Sequence, residues 1–276
     1  MTNKTWQMFL VAGVLCMVLA PVARAGVVTD DLVSWWKFDE ASGTTAFDSH
    51  GSNNGTLAGS PLPTRTTDTP GAASLRSLDF DGSGNYVDCG NDASLSINDT
   101  MTIECWLKPD SVAHTSGKTL DDVFVSKGFH GNTNDRAWVL GRHTDDLRLQ
   151  MTRDGSTIVD CWLNDVLTAN EWHFVSVSIS ASASGPIEVV WFFDDGQTET
   201  DSITGSGLLH ENDEDVRIGR DYLNDYYMGG LIDEVRIYDA VLDTSDRQQN
   251  YDAIPEPATM ALLGIGAAGL LIRRRR

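Results

Sequence analysis

The sequence predicts an all-β protein, an antiparallel sandwich of two sheets, and three observations carry that prediction. Short segments of alternating apolar and polar residues recur along the body of the chain. Gly, Asn, Asp and Pro punctuate them, and helical periodicity is almost absent. About a dozen such segments fit a sandwich or a barrel. The predicted body spans residues 26–253 of the 276, a size at which such folds stay single domains. A chain of this length buries on the order of 70% of its unfolded surface, so it needs no disulfide framework.

Taken in order, residues 32–38 read as a short strand ending at Asp39-Glu40-Ala41-Ser42-Gly43. Residues 41–71, rich in Gly, Ser, Thr, Asn and Pro, are expected to form a long irregular loop. Residues 77–80 and 85–89 are expected to pair as a hairpin about Asp81-Gly82-Ser83-Gly84. Residues 101–109 form a clear strand ended by Pro109, and strands at 123–127, 137–140, 147–151 and 158–162 follow. In residues 172–179 apolar residues alternate with serine, giving one dry and one wet face. Residues 187–193 run into Asp195-Gly196, a tight-turn signal, before a strand at 197–203. Residues 216–219 precede a last strand at 230–239, and residues 245–251 read as one or two helical turns.

The last strand organises the rest. Strict alternation would put Leu231, Asp233, Val235 and Ile237 on one face, and Ile232, Glu234, Arg236 and Tyr238 on the other. Asp233 would then share its face with core residues, and a buried ionised carboxylate is costly unless paired or metal-bound. A partner is expected near the start of the body, which would close the last strand against the first segment. Calcium, an Arg or backbone donor, and solvent at a wet strand end all remain open for Asp233. In the early loop, Asp48, Ser49 and Asn53 offer oxygens that could converge on one cation; the same residues are natural turn formers. Asp79-Phe80-Asp81-Gly82 lacks the spacing and closing Glu of an EF-hand.

Both ends read as addresses. Residues 1–25 carry Lys4, an apolar stretch from Met8 to Ala20, and Ala23-Arg24-Ala25 before Gly26, the pattern of a secretory signal peptide. Residues 254–276 carry Pro255-Glu256-Pro257, an apolar run, and Arg273 to Arg276. The run is marginal for a bilayer span of about 20 residues, and the arginines would stay on the cytoplasmic side. This end resembles the PEP-CTERM sorting signal of Gram-negative bacteria. That resemblance implies transient membrane insertion through the terminal helix, cleavage by an exosortase-type protease, and export to the cell surface. A retained tail anchor is the alternative.

The chain carries 40 acidic and 20 basic residues, a formal net charge of −20. Lys4, Arg24 and the four terminal arginines lie in the end segments, so the body is more acidic still. Such a surface repels nucleic acid and anionic lipid and supplies the oxygen donors that calcium favours. Cys89, Cys105 and Cys161 remain after removal of Cys16; no C-x-x-C occurs, which argues against zinc-thiolate or redox motifs. The similar Cys105-Trp106-Leu107 and Cys161-Trp162-Leu163 leave open a bridge between those two sulfurs.

Residues 32–43, the 48–57 loop, residues 78–87, 101–109, 171–175 and 230–238 together resemble laminin-G-like domains of the concanavalin A-like lectin superfamily. The resemblance covers nearly all of residues 30–251 and implies a jelly-roll of two antiparallel sheets. It further implies calcium held between the loop after the first strand and the Asp of the final G-x-I-D-E strand, here Asp48, Asn53 and Asp233. The loop is about one residue shorter than the family pattern, so Asn53 matches least well. Relatives are mostly glycan- or protein-binding modules, and some related sandwiches are glycoside hydrolases.

A glycosidase needs two carboxylates about 5–10 Å apart across the scissile bond. No E-x-D-x-E occurs, and Asp39-Glu40 and Asp233-Glu234 are adjacent pairs whose side chains point to opposite strand faces. A nucleophile elbow and H-E-x-x-H are also absent, so the reading is non-catalytic. Aromatic and polar loop residues suited to a polysaccharide are Trp138, His143, Tyr222, Tyr226 and Tyr227. The expected protein is a calcium-stabilised, lectin-like sandwich of the cell surface or exopolysaccharide matrix. A structural or adhesive matrix role without specific sugar binding is the alternative.

Overall fold

A computed structural model describes residues 26–115, 118–128, 136–221 and 226–254. The expected signal peptide of residues 1–25, Tyr222 and Pro255-Glu256-Pro257 lie outside the described residues. The strands are β1 (Leu32–Trp36), β2 (Thr45–Ala46), β3 (Gly55–Ala58), β4 (Thr64–Thr66), β5 (Ser77–Asp81), β6 (Tyr86–Asp88), β7 (Thr100–Pro109) and β8 (Asp122–Gly128). They continue with β9 (Arg136–His143), β10 (Asp146–Arg153), β11 (Thr157–Leu163), β12 (His173–Ser180), β13 (Ile187–Phe193), β14 (Gln197–Ile203), β15 (Val216–Ile218) and β16 (Gly229–Tyr238). A short 3-10 turn, Ala93–Leu95, lies between β6 and β7, and a single α-helix, α1 (Thr244–Ala253), follows the last strand among the described residues.

The strands form two antiparallel sheets. Sheet A runs β14-β13-β12-β7-β16-β5-β4, with β1 also on β16; sheet B runs β11-β10-β9-β8-β15-β6-β3-β2. Ile103, Cys105 and Leu107 of β7 and Val175, Val177 and Ile179 of β12 share one core with Leu147, Leu149 and Met151 of β10. That is the predicted two-sheet sandwich, and burying each such side chain contributes about 1.5–3 kcal/mol. Cys89, Cys105 and Cys161 are all free, buried thiols, so the 105–161 bridge does not form. Burial pushes the thiols of Cys105 and Cys161 up to about 12.

Two sequence expectations fail for topological reasons. Residues 77–89 are not a hairpin: β5 pairs with β16 and β4 in sheet A, whereas β6 pairs with β15 and β3 in sheet B. The turn at Asp81 therefore carries the chain from one sheet to the other. The stretch 41–71 is not a bare loop, because β2, β3 and β4 lie within it.

The third correction concerns the last strand. Gly229 to Ile232 of β16 pair with β5, while Val235 to Tyr238 pair with β1 on the same edge. The neighbour changes at Asp233-Glu234, and the ladder to β7 slips there: Asp233 opposes Trp106 and Arg236 opposes Glu104. Three residues of β16 thus match two steps of β7, and Glu234 takes φ 54°, as in a β-bulge. The extra residue inverts the alternation. Ile232, Val235 and Ile237 enter the core, so Asp233 does not share their face. The expected closure of the last strand on the first does occur, through β1.

Candidate ligand-binding face

The loop after β1 is organised by Asp48. Its Oδ1 accepts from the backbone N–H groups of Trp35 (3.0 Å), His50 (3.0 Å) and Gly51 (2.9 Å), and its Oδ2 from that of Asn53 (3.0 Å). A Cβ at Gly51 would overlap the Val33 carbonyl and this carboxylate, which is why glycine stands there. Asn53 turns its Nδ2 to Ser34 Oγ (2.8 Å) and Ser94 Oγ (3.0 Å). Asp233, fully buried, instead accepts from Ser74 Oγ (2.6 Å) and the Glu234 N–H (2.8 Å). Burial and the neighbouring Glu234 push its carboxyl well above the usual range. Asp48 bridges to Trp36 while Val235 lies on Trp36's other side, so β1 stands between Asp48 and β16, a gap of two strand spacings, about 9–10 Å. Asp48, Asn53 and Asp233 each have protein partners of their own. The donors that fill Asp48 are N–H groups, which serve a turn rather than a cation.

The outer face of sheet A is sealed. Arg236, fully buried, gives Nη2 to Glu234 Oε2 (2.6 Å), lies 3.6 Å from Glu104 Oε2, and stacks on Trp35. Trp35 Nε1 also donates to Glu234 Oε2 (2.7 Å). Burial, only partly offset by Arg236, raises Glu104 to about 7. Helix α1 covers this network: Asn250 Nδ2 donates to Glu104 Oε2 (2.8 Å) and Tyr238 Oη (3.0 Å), and Arg247 Nη2 donates to Ser178 Oγ (2.6 Å). Tyr251 stacks on Trp106 at 5.4 Å.

The outer face of sheet B has no such helix over it among the described residues. Alternation in β10 and β11 sends Arg148, Gln150, Thr152, Asp160 and Trp162 outward, opposite the core residues between them. Arg148 clamps Asp160 through Nε (2.8 Å) and Nη2 (2.7 Å), donates to the Thr119 carbonyl, and stacks 4.5 Å above Trp162. Gln150 Nε2 donates to Asp160 Oδ2 (3.1 Å), but Gln150 Oε1 and Thr152 Oγ1 are buried with no hydrogen-bond partner. Further along the face, Arg220 lies 4.6 Å from the ring of Tyr86 and 5.0 Å from that of Tyr227.

Of the sugar-platform candidates, Trp138 is a correction. It is 1% exposed and packed in the core, because β9 turns it inward opposite Met151. His143, Tyr226 and Tyr227 are half-exposed on the sheet B side. The His143 ring lies 6.1 Å from Trp162, and Tyr226 packs against Leu120, Val123 and Val139. Arg148, Gln150, Asp160, Trp162, Tyr86 and Arg220 were missed by motif reading. The polar members of β10 and β11 alternate with apolar ones, a signal that marks an outer face without saying whether anything covers it.

A family profile described as concanavalin A-like lectin/glucanases superfamily matches residues 81–246, more than half of the chain. The chain belongs to that superfamily. A PEP-CTERM protein-sorting motif matches residues 253–276, which marks this superfamily member for export. Curated proteins include no match. Among solved structures, domain 4 of AbnA, a GH43 extracellular arabinanase from Geobacillus stearothermophilus in complex with arabinotriose, is similar. It has 18% identity and a TM-score of 0.55, covering 81% of this chain and 98% of that one. The binding domain of Paraclostridial Mosquitocidal Protein 1 has 14% identity and a TM-score of 0.59, covering 80% of this chain and 52% of that one. The receptor binding domain of botulinum neurotoxin mosaic serotype C/D has 12% identity and a TM-score of 0.58, covering 81% and 51%. This chain thus spans about half the length of the two toxin domains. At these identities the likeness concerns the fold.

Proposed function

We propose that this exported sandwich binds an extracellular polysaccharide through the outer face of sheet B, without cleaving it. The observation that carries the reading is Trp162, part-exposed on this face, with the Arg148 guanidinium stacked on it and Asp160 held beside it. A sugar stacks its ring on such an aromatic plane while its hydroxyls bond the polar groups around it. Asp160 is fully engaged by Arg148 and Gln150, so it serves as an anchor for those side chains and not as a proton donor. That supports binding over the two-carboxylate chemistry of hydrolysis. The sorting motif supports processing by an exosortase-type protease and presentation at the surface of a Gram-negative bacterium.

The test is a glycan array with the purified full chain in mild detergent, followed by titration of any hit. Wild type is expected to bind a defined set of sugars, and Trp162→Ala to bind at least tenfold more weakly with an unchanged melting temperature. No binding to any sugar would overturn the reading and leave a matrix role through broad, salt-sensitive contacts. Binding unaffected by Trp162→Ala would move the site off this face.

A further inference from the structure

At the rim of sheet B, two histidines from different segments meet one buried aspartate. His114 lies in the connection after β7, Asp121 immediately before β8, and His143 at the end of β9. His114 Nδ1 is 3.3 Å from Asp121 Oδ1 and 3.4 Å from Oδ2, and His143 Nδ1 is 3.6 Å from Oδ2. The three ligand atoms all lie within 4.8 Å of one another, and the imidazole rings meet edge-on at 4.5 Å.

Hydrogen bonding accounts for only part of this arrangement: His114 Nδ1 is within bonding distance of Asp121, but His143 Nδ1 is not. A separation of 3.6 Å is too long for one, and His143 Nδ1 is buried without a hydrogen-bond partner. An ion with bond lengths of about 2.0–2.1 Å, tetrahedrally coordinated, sets its ligands about 3.3–3.4 Å apart. The two Nδ1–carboxylate separations sit at or just above that edge, and all three ligand atoms lie within 4.8 Å of one another. We propose that His114, Asp121 and His143 bind a divalent transition ion of the zinc class.

The surroundings suit that role. The backbone N–H groups of Thr115 (2.6 Å) and Thr144 (2.8 Å) orient the Asp121 carboxylate, one on each oxygen. Such outer partners fix the direction of a ligating carboxylate. Among the described residues, Arg142 Nη1, 4.0 Å from Asp121 Oδ2, opposes a cation. That guanidinium is already neutralised by Asp122 through Nε and donates Nη1 to the Thr144 carbonyl (2.8 Å). Two imidazoles and one carboxylate select zinc-class ions over calcium, which prefers six to eight oxygens. Three protein ligands leave a fourth position for water or for a group of a bound ligand. The site is distinct from Asp48 and Asp233, and it stands whether or not the neighbouring face binds a sugar.

The experiment is isothermal titration of the full chain in mild detergent with Zn²⁺, and separately with Ca²⁺, followed by the visible spectrum of the Co²⁺-loaded protein. One Zn²⁺ per chain is expected, with Ca²⁺ failing to compete. His143→Ala and His114→Ala should each weaken Zn²⁺ binding at least tenfold and abolish the Co²⁺ d–d bands. His114 is part-exposed and lies outside the strands, so that variant keeps the fold and its result is decisive. Absence of stoichiometric Zn²⁺ binding overturns the proposal. So does binding unchanged in both variants, which would place the ion elsewhere, for example at the acidic group Asp145, Asp146 and Asp165.

Discussion

The two sheets carry their polar outer faces to opposite ends. On sheet A, Glu104, Glu234 and Arg236 are buried under α1 and Trp35, and Asn250 and Arg247 of the helix join their network. On sheet B, Arg148, Gln150, Asp160 and Trp162 form an equally polar set with no helix over it among the described residues. Both faces keep buried side-chain atoms without a hydrogen-bond partner, Glu104 Oε1 and Ser176 Oγ on one and Gln150 Oε1 and Thr152 Oγ1 on the other. The lesson is that neither buried charge nor an unfilled acceptor marks a face as a site; the cover separates them, a helix of the same chain on sheet A and, among the described residues, none on sheet B.

The largest test of this contrast is Arg236→Met. It leaves Glu104 and Glu234 buried without their cation and should cost about 3–5 kcal/mol in urea unfolding. A loss under 1 kcal/mol would show that the sheet A network is not the sealed structural unit described here.

Next comes the pH dependence of Glu104. Its folded value of about 7 stands above the ordinary 4.5, so the folded state keeps the proton after the unfolded chain has lost it. Its contribution to stability is whole below about 4.5 and is lost as pH rises through about 7. Relative to wild type, Glu104→Gln should therefore gain stability between pH 4 and 8, by on the order of 3 kcal/mol. Parallel stability–pH curves for the two proteins would rule this out.

On sheet B the sign should reverse. Gln150→Leu removes an unfilled acceptor, so unfolding stability should hold or rise by about 1 kcal/mol. Binding of any array hit should fall about tenfold. A variant that loses stability as Arg236→Met does would erase the distinction between the faces. Asp48→Ala should cost about 1–3 kcal/mol by freeing the N–H groups it holds. The smallest effect concerns calcium: Asp48 already accepts from four backbone N–H groups, so adding Ca²⁺ to the metal-free protein should leave the melting temperature unchanged. A Ca²⁺-dependent rise of several degrees would instead support the expected site at Asp48, Asn53 and Asp233.

Much of the architecture was legible from local pattern. Alternation located β7, β12, β13 and β16, the Asp195-Gly196 signal placed the turn before β14, and the terminal helical turns became α1. The errors arose where one residue changed a parity or a partner. Glu234 adds a residue to β16, and every inference about which face Asp233 uses inverts with it. Asp81 crosses between sheets, which short-range pattern cannot distinguish from a hairpin turn. Trp138 looked like a platform because an aromatic in a strand has two possible faces, and only the pairing with Met151 selects the inner one.

By itself, then, the sequence determined the class of fold, the strand periods, the acidic surface and the sorting motif. These follow from local periodicity, composition and short contiguous signals. Tertiary structure alone decided which polar residues are buried, and which of those are satisfied. That depends on residues far apart in the chain: Asn250 on Glu104, Ser74 on Asp233, and His114 with His143 on Asp121. Such pairs obey no fixed spacing, because two sheets and a bulge, and not distance along the chain, bring them together.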